Sequence, residues 1–365
     1  MNVLKYSSSS YRNLKEIEIF PAEGINVIYG ENGQGKTNLI ESIWIFTGCH
    51  SFRTHRINEL IERGKSRAEI ELDFFASGRE QKAQLKIDNK REVEINGIAQ
   101  KSPRALLGLF NAVVFSPSTL SIIKEGPAER RKFLDIAISL TKPVYASQLS
   151  KYLKIVAQRN ALLKQIAAGR FDTDILSPWD EQLAVTGAKI IDYRVKYINN
   201  LSKAASEIYD GIAQGKETMS LSYIQSTGGE NEEASISQTL YDNLEKSRKS
   251  DIKRLTTGVG PHKDDLDIKI NHMSARSYGS QGQQRSCALA LKLGEASILK
   301  NVTGEQPVAL LDDVMSELDS GRQNYLFKYL NDWQVFITCC DPTHLMRLKG
   351  AKAFEVKNGV IKEMK

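Results

Sequence analysis

Residues Gly30-Glu31-Asn32-Gly33-Gln34-Gly35-Lys36-Thr37 form a complete G-x-x-x-x-G-K-[ST] loop between an apolar run, Ile25-Asn26-Val27-Ile28-Tyr29, and a helix-like stretch from Asn38 to Phe46. A strand, a glycine turn and a helix in that order make an anion cradle, which commits the chain to an α/β fold around a phosphate site. The glycines let successive backbone N–H groups turn inward, and the helix presents the positive end of its dipole to the same anion. The ATP-binding candidates are therefore Gly30, Glu31, Asn32, Gly33, Gln34, Gly35, Lys36, Thr37 and Asn38. Lys36 has the reach to meet the β- and γ-phosphates, and Thr37 Oγ is of the right kind to hold Mg²⁺. The bland alternative, a glycine-rich surface turn, does not account for the flanking strand and helix.

Such a loop is half of a site, and the missing carboxylate should end another apolar strand. Val308-Ala309-Leu310-Leu311-Asp312-Asp313 meets that demand. Asp312 is the second candidate for Mg²⁺, through water, and Asp313 stands where a carboxylate polarises the attacking water. Aspartate is one methylene shorter than glutamate, which implies slow hydrolysis, and Glu317 is the alternative base. Asp313, Glu317 and Lys36 are thus the catalytic candidates. The strand-like run Gln334 to Thr338 leads into Cys339-Cys340-Asp341.

Composition bounds the remaining possibilities. With 365 residues, 41% hydrophobic and 26% charged, the chain is globular and long enough for two domains. Its longest nearly uncharged apolar stretches, such as Ala105 to Phe115, are too short to span a bilayer, and the N-terminus lacks a charged region leading into an apolar one, so a cytoplasmic location is expected. Cys49, Cys287, Cys339 and Cys340 have no C-x-x-C spacing, which favours reduced structural thiols. The net charge of +6 is mild, but its distribution is uneven. No acidic residue lies between Asp135 and Asp172, where Lys142, Lys151, Lys154, Arg159, Lys164 and Arg170 fall; a second cluster holds Arg53, Arg56, Arg63, Lys65 and Arg67. Lys151, Lys154, Arg159, Lys164, Arg53 and Arg56 are the candidates for contact with a DNA backbone, against the alternative of solvated helix faces.

Along the chain, strand-like runs at Lys15–Phe20, Ile25–Tyr29, Ala68–Phe75, Ala83–Ile87 and Glu92–Ile95, the last followed by an Asn96-Gly97 turn, make a sheet-rich lobe. From Ala128 to about Ile212 the pattern turns helical, with breaks expected at Pro143, Gly169 and Pro178, and with helices too short for a coiled-coil rod. A strand at Thr218–Ile224, an acidic loop at Thr227–Glu233 expected to be mobile, and a helix from Ser235 to about Lys249 lead back to alternating elements. The expected organisation is an ATPase head in two parts, 1–127 and 213–365, with a helical arm, 128–212, inserted between them.

Tyr278-Gly279-Ser280-Gln281-Gly282-Gln283-Gln284, followed by a helix-like stretch from Arg285 to Lys300, resembles the S-x-G-Q signature of the ABC ATPases, and Ser316-Glu317-Leu318-Asp319 resembles their D-loop. The resemblance implies a head-to-tail homodimer that forms with ATP, in which the signature residues Ser280, Gly282 and Gln283 serve the site of the partner chain. It also implies a switch histidine near residues 339–341, which is absent; Thr338 is the nearest polar group able to sense the γ-phosphate, and the switch stays open.

The likeness narrows with five blocks: Gly30 to Asn38 with Glu41; Ser51-Phe52-Arg53-Thr54; Phe115-Ser116-Pro117 with Lys124 to Asp135; Gly260-Pro261-His262-Lys263-Asp264-Asp265; and Tyr278 to Arg285. Together they resemble the RecF family of bacterial recombination mediators, within the ABC/SMC-like ATPases. Ser118-Thr119 and Lys263 depart from that family's usual acidic pair and arginine; lysine keeps the charge and loses the bidentate fork. Membership implies an α/β ABC-type ATPase head with an inserted helical arm and a weak DNA-stimulated ATPase. It further implies binding to double-stranded DNA and single/double-strand junctions in recombinational repair, and RecR and RecO-like partners. An SMC-type chromosome-structuring ATPase, which needs a rod, and a transporter ATPase subunit are the alternatives. His262 reads as a loop-ordering residue, and Asp264-Asp265 as a strand-start cap in preference to a nuclease metal site.

Overall fold

Five strands pair in parallel, and parallel pairing requires both sheet faces to be covered, which is why four of them carry no charged residue; the fifth, Lys352–Lys357, keeps Lys352, Glu355 and Lys357. In this computed structural model, which describes residues 1–226, 233–343, 345 and 350–364, they lie in the order Lys352–Lys357, Ile25–Tyr29, Val335–Cys339, Val308–Leu311 and Ala112–Phe115, with Val360–Glu363 added antiparallel at one edge. Leu311 pairs with Ile337, and Thr338 with Ile28, so the first polar residues after each strand come level at one end. The described residues fall into two compact units, and this sheet belongs to the first, Met1–Leu120 with Ala288–Lys365. The helix Lys36–Ile45 belongs to the same unit, with Leu39, Ile40 and Ile43 fully buried.

The same unit holds an antiparallel sheet in the order Ile17–Ile19, Asn2–Ser9, Ala68–Ala76, Arg79–Ile87, Arg91–Ile95 and Ile98–Gln100. Asn96 and Gly97 both have positive φ, as a two-residue hairpin turn requires. Asn2–Ser9 is a strand that the sequence pattern does not announce. Its serines, and a register shift between Val3 and Lys5, hide the pattern in which Val3, Tyr6 and Ser8 point inward.

The second unit, Ser121–Cys287, contains the helical stretch expected at 128–212 together with the chain from there to Cys287. Its helices are Pro127–Thr141, Pro143–Ala167, Ser177–Ala213 and Glu233–Arg254, and a small sheet joins Met273–Ser274, Asp265–Ile270 and Met219–Ile224. The helices are longer than expected: Ser177–Ala213 has 37 residues, about 55 Å at 1.5 Å per residue. The helical pattern breaks where expected, between Thr141 and Pro143 and between Ala167 and Ser177, a gap that contains Gly169; Pro143 and Pro178 lie in the first turns of the helices that follow, where a missing N–H costs nothing. Ala188 and Ile191 of the long helix form a core with Ile236 of Glu233–Arg254, which is why that helix belongs with the arm. Apart from Glu233 itself, the loop expected at Thr227–Glu233 lies outside the described residues.

A buried ionic cluster ties these helices together and corrects one expectation. Arg159 is fully buried, donating from Nε to Asp180 Oδ1 (2.6 Å) and from Nη1 to Asp251 Oδ2 (2.7 Å) and Thr257 Oγ1 (3.1 Å). Arg248 donates to the other Asp180 oxygen at 2.8 Å. Arg159 is therefore no surface cation and leaves the set of DNA contacts. A second buried arginine, Arg194, donates to Asp135, the Tyr145 hydroxyl and the Pro261 carbonyl.

His262 orders its loop. The Thr257 carbonyl can only accept, so Nε2 donates to it at 3.0 Å and Nδ1 accepts from the Tyr152 hydroxyl at 2.7 Å. Gly260, at φ 121°, lies so close that an added Cβ would stand 2.3 Å from that hydroxyl. Asp264 accepts from Tyr223 and from the Ser226 N–H, and Asp265 takes a two-pronged contact from Arg130, so both carboxylates are held by the fold.

Burial lowers the His262 pKa to about 4, against about 6.5 in an unfolded chain. The unfolded chain binds the extra proton between those values, so stability is complete above about pH 6.5 and falls, by up to about 3 kcal/mol, as pH drops through about 4. Thermal melting across that window should show the loss, and His262→Gln should flatten the slope; an unchanged slope would assign the transition to another group.

Candidate nucleotide site

The turn after Ile25–Tyr29 closes on its own backbone. Lys36 is buried, and its Nζ donates to the carbonyls of Gly30 (2.7 Å) and Glu31 (3.1 Å), which folds the loop around an ammonium. Helix Lys36–Ile45 begins with no side-chain cap and no acidic residue in its first turn. Its leading N–H groups are therefore left without a side-chain cap, which is the arrangement an anion completes. Gly35 has φ 122°, and a Cβ there would meet Asn13 Oδ1 at 2.8 Å and Leu14 Cδ2 at 2.9 Å, so only glycine fits.

The two halves of the site meet through oxygen atoms. Thr37 Oγ1 donates to Asp312 Oδ1 at 2.9 Å, and Thr338 Oγ1 donates to the same oxygen at 2.9 Å. Asp312 is buried, and burial raises its pKa against the opposing pull of those two hydroxyls. A hydroxyl and a carboxylate in contact at the lip of an anion cradle are hard oxygen ligands, and the donor set fits Mg²⁺. Asp313 comes next with φ 52°, a left-handed conformation that aspartate tolerates. Its N–H donates to Thr338 Oγ1 at 2.8 Å, and its carbonyl accepts from Ser316 Oγ at 2.9 Å. Glu317 lies in the short 3₁₀ turn Met315–Glu317 just beyond.

Asn13 and Arg12, beside the loop, carried no signal in the sequence. Asn13 Nδ2 donates to the Gly33 carbonyl at 3.1 Å and its Oδ1 accepts from Asn38 at 2.6 Å, so it props the loop from outside. Arg12 forks onto the fully buried Glu41, which also accepts from Ser51. Cys340 Sγ lies 3.9 Å from Lys36 Nζ and 3.4 Å from Asn32 Oδ1, in the segment where a histidine was sought.

Arg53 Nη1 donates to Asn38 Oδ1 at 2.5 Å, which places this DNA candidate beside the loop helix. Arg56 is exposed next to Glu59. In the second unit, Lys151, Lys154 and Lys164 are all exposed on helix Pro143–Ala167.

The signature segment is also in the second unit. Ser280 is exposed before helix Gln281–Thr303; its N–H donates to Gln283 Oε1 (2.7 Å) and its Oγ accepts from the Gln283 N–H (3.2 Å). The S-x-G-Q spacing is thus a capping box, with Gly282 between its two partners. Gln283 Nε2 donates onward to Glu217, whose other oxygen accepts from Tyr209 at 2.6 Å, so the turn is anchored to the long arm helix.

A parallel sheet ending in a phosphate loop, a carboxylate strand and a threonine strand defines a P-loop ATPase head. The chain belongs to the RecF/RecN/SMC family, whose N-terminal domain matches residues 4–362. Within it the chain is a RecF-type DNA replication and repair protein. It is 40% identical over 358 residues to the DNA replication and repair protein RecF of Clostridium acetobutylicum, covering 97% of each chain. A solved structure of the recombination mediator protein RecF-ATP in the RecFOR pathway superposes with a TM-score of 0.93 at 38% identity, covering 100% of this chain and 97% of that one. The Smc head bound to the C-winged helix domain of ScpA shares the fold alone, at 16% identity and a TM-score of 0.56. Among the described residues no helix is long and apolar enough to cross a membrane.

Lys36→Ala should abolish nucleotide binding in a filter assay, because the cradle loses the cation that closes it. Retained affinity would remove the phosphate-loop assignment.

Proposed function

We propose that this chain is a weak, DNA-stimulated ATPase whose ATP-dependent homodimer clamps double-stranded DNA or single/double-strand junctions and helps load recombinase on single-stranded gaps. The observation that carries the reading is the Thr37–Asp312 contact of 2.9 Å at the mouth of an uncapped helix. The likeness to a RecF-ATP structure over the whole chain supports it. Thr37 and Asp312 would hold Mg²⁺, which when bound neutralises phosphate charge. Residues Gly30 to Asn38 bind the phosphates, and Asp313, with Glu317 as its alternate, orients the attacking water. Partners of the RecR and RecO kind accord with the RecFOR pathway in which the related structure is placed, and the compartment that fits such work is the cytoplasm.

Ser280, Gly282 and Gln283 act on the nucleotide of a second copy. ATP can shift a monomer–dimer equilibrium only through contacts that the dimer makes and the monomer lacks. Ser280→Arg should keep ATP binding and lose ATP-induced dimerisation on gel filtration. Mixed with Lys36→Ala, it should recover partial ATPase activity, since one of the two sites in a mixed dimer has an intact loop and an intact signature. Normal dimerisation of Ser280→Arg would sink the trans-acting site.

The DNA surface is assigned to the exposed lysines of helix Pro143–Ala167. Reversing Lys151, Lys154 and Lys164 to glutamate should weaken DNA binding and flatten its salt dependence while ATP affinity stays unchanged, because backbone contacts act through counterion release. No loss in the triple variant would move the surface toward Arg56 and its neighbours.

A further inference from the structure

Thr338 holds a position that neither a γ-phosphate sensor nor a buried strand residue explains. It lies near the end of Val335–Cys339, paired with Ile28, and is 1% exposed. A hydroxyl has one proton to give and two lone pairs to receive. The proton goes to Asp312 Oδ1 (2.9 Å), and a lone pair takes the Asp313 N–H (2.8 Å). With its proton committed, the side chain has nothing left to donate to a phosphate oxygen.

The two bonds serve different needs. Asp313 is turned into the left-handed region, which swings its N–H toward the neighbouring strand, and Thr338 is the acceptor that meets it. Without that acceptor a half-buried donor would lose its partner and the turn the contact that holds it. Asp312 is approached from both sides, by Thr37 and by Thr338. Thr37 must release its proton from Asp312 if its oxygen is to serve a cation, whereas Thr338 can stay bonded throughout.

We propose that Thr338 is a positioning residue for nucleotide chemistry: one hydroxyl fixes the metal-holding oxygen of Asp312 and the left-handed turn that aims Asp313. The proposal rests on the ATPase reading for its consequence, but its geometric core can be tested without nucleotide. It differs from the expectation that Thr338 senses the γ-phosphate, because both bonds of this hydroxyl are made within the protein, to Asp312 and to the Asp313 N–H.

The test compares Thr338→Val, which keeps shape and loses the hydroxyl, with Thr338→Ser, which keeps the hydroxyl. In the nucleotide-free protein, hydrogen exchange at the Asp313 amide should speed up by about tenfold in Thr338→Val and return toward wild type in Thr338→Ser, while the strand amides of Leu310 and Ile337 stay unchanged. With a fluorescent ATP analogue, Thr338→Val should raise the Mg²⁺ concentration for half-maximal binding and lower kcat, each by about 10–100-fold. KM at saturating Mg²⁺ should move less than kcat, and Thr338→Ser should recover most of both losses. Unchanged exchange at Asp313 in Thr338→Val, or equal damage from Val and Ser, would overturn the proposal. So would faster exchange at Leu310 and Ile337 as well, since that marks a general packing defect. Should the exchange result hold while wild-type protein shows no Mg²⁺-dependent nucleotide binding, the ATPase reading fails and the hydrogen-bonded hub stands.

Discussion

Asp312 Oδ1 accepts two hydroxyl protons, from Thr37 and from Thr338, and the arrangement of the first unit is set by the need to bring those groups together. They come from three chain segments: the helix after one strand, the end of a second and the end of a third. Parallel pairing sets them level, because Leu311 lies beside Ile337 and Thr338 beside Ile28, so polar residues placed just after apolar runs share one edge. Charge there would be expensive if it stood alone. Burial already pushes the Asp312 pKa up, and the two hydroxyl bonds oppose that push.

In the second unit the polar interior has a different task. Arg159 and Arg194 are almost wholly buried, and each is met by carboxylates and carbonyl or hydroxyl oxygens from elements far apart in sequence. Removing such charges from water costs several kcal/mol per ion, so these clusters are weak sources of stability compared with an apolar core of equal volume. What they supply is register. Asp180 can satisfy Arg159 and Arg248 together in a single alignment of three helices, and a slip of one residue would leave a buried charge unpaired.

The loop at Gly30–Thr37, the strand before Asp312 and the turn at Asn96-Gly97 were legible because local chemistry dictates them: glycine for backbone freedom, an apolar run for a two-faced strand, Asn-Gly for a primed turn. Asn2–Ser9 was not, since a register shift between Val3 and Lys5 breaks the alternation and a buried serine, Ser8, carries part of what is left. Pro143 and Pro178 were legible for a local reason: proline forbids helix interiors and favours first turns, so each separates one helical run from the next helix, which it opens. Arg159 shows the limit most directly. Its basic neighbours Lys151, Lys154 and Lys164 are exposed as a one-signed stretch suggests, but its carboxylate partners lie 21 and 92 residues away. The roles of Asn13 and Thr338 were hidden likewise, because each depends on a contact across the sheet or the loop.

The S-x-G-Q segment shows how one motif can satisfy two demands. As a capping box, Ser280 and Gln283 stabilise the start of a helix by bonding to each other's backbone N–H. That alone would explain a serine and a glutamine three residues apart in any protein, and it makes the bare motif a weak pointer to ATP. The additional content lies in what the cap leaves available. Ser280 Oγ holds the turn as an acceptor, so its proton is not what maintains the fold and can be given to an anion. Gln283, by contrast, is committed on both sides, to Ser280 and to Glu217, and so the turn is stiff along its link to the long helix. A group that binds phosphate at such a turn meets a donor already oriented, and the ordering entropy is met at folding instead of at binding. On the proposed reading, this preorganisation is what lets a single γ-phosphate separate the dimeric state from the monomeric one: the contact it adds is small in number but has little left to lose in forming.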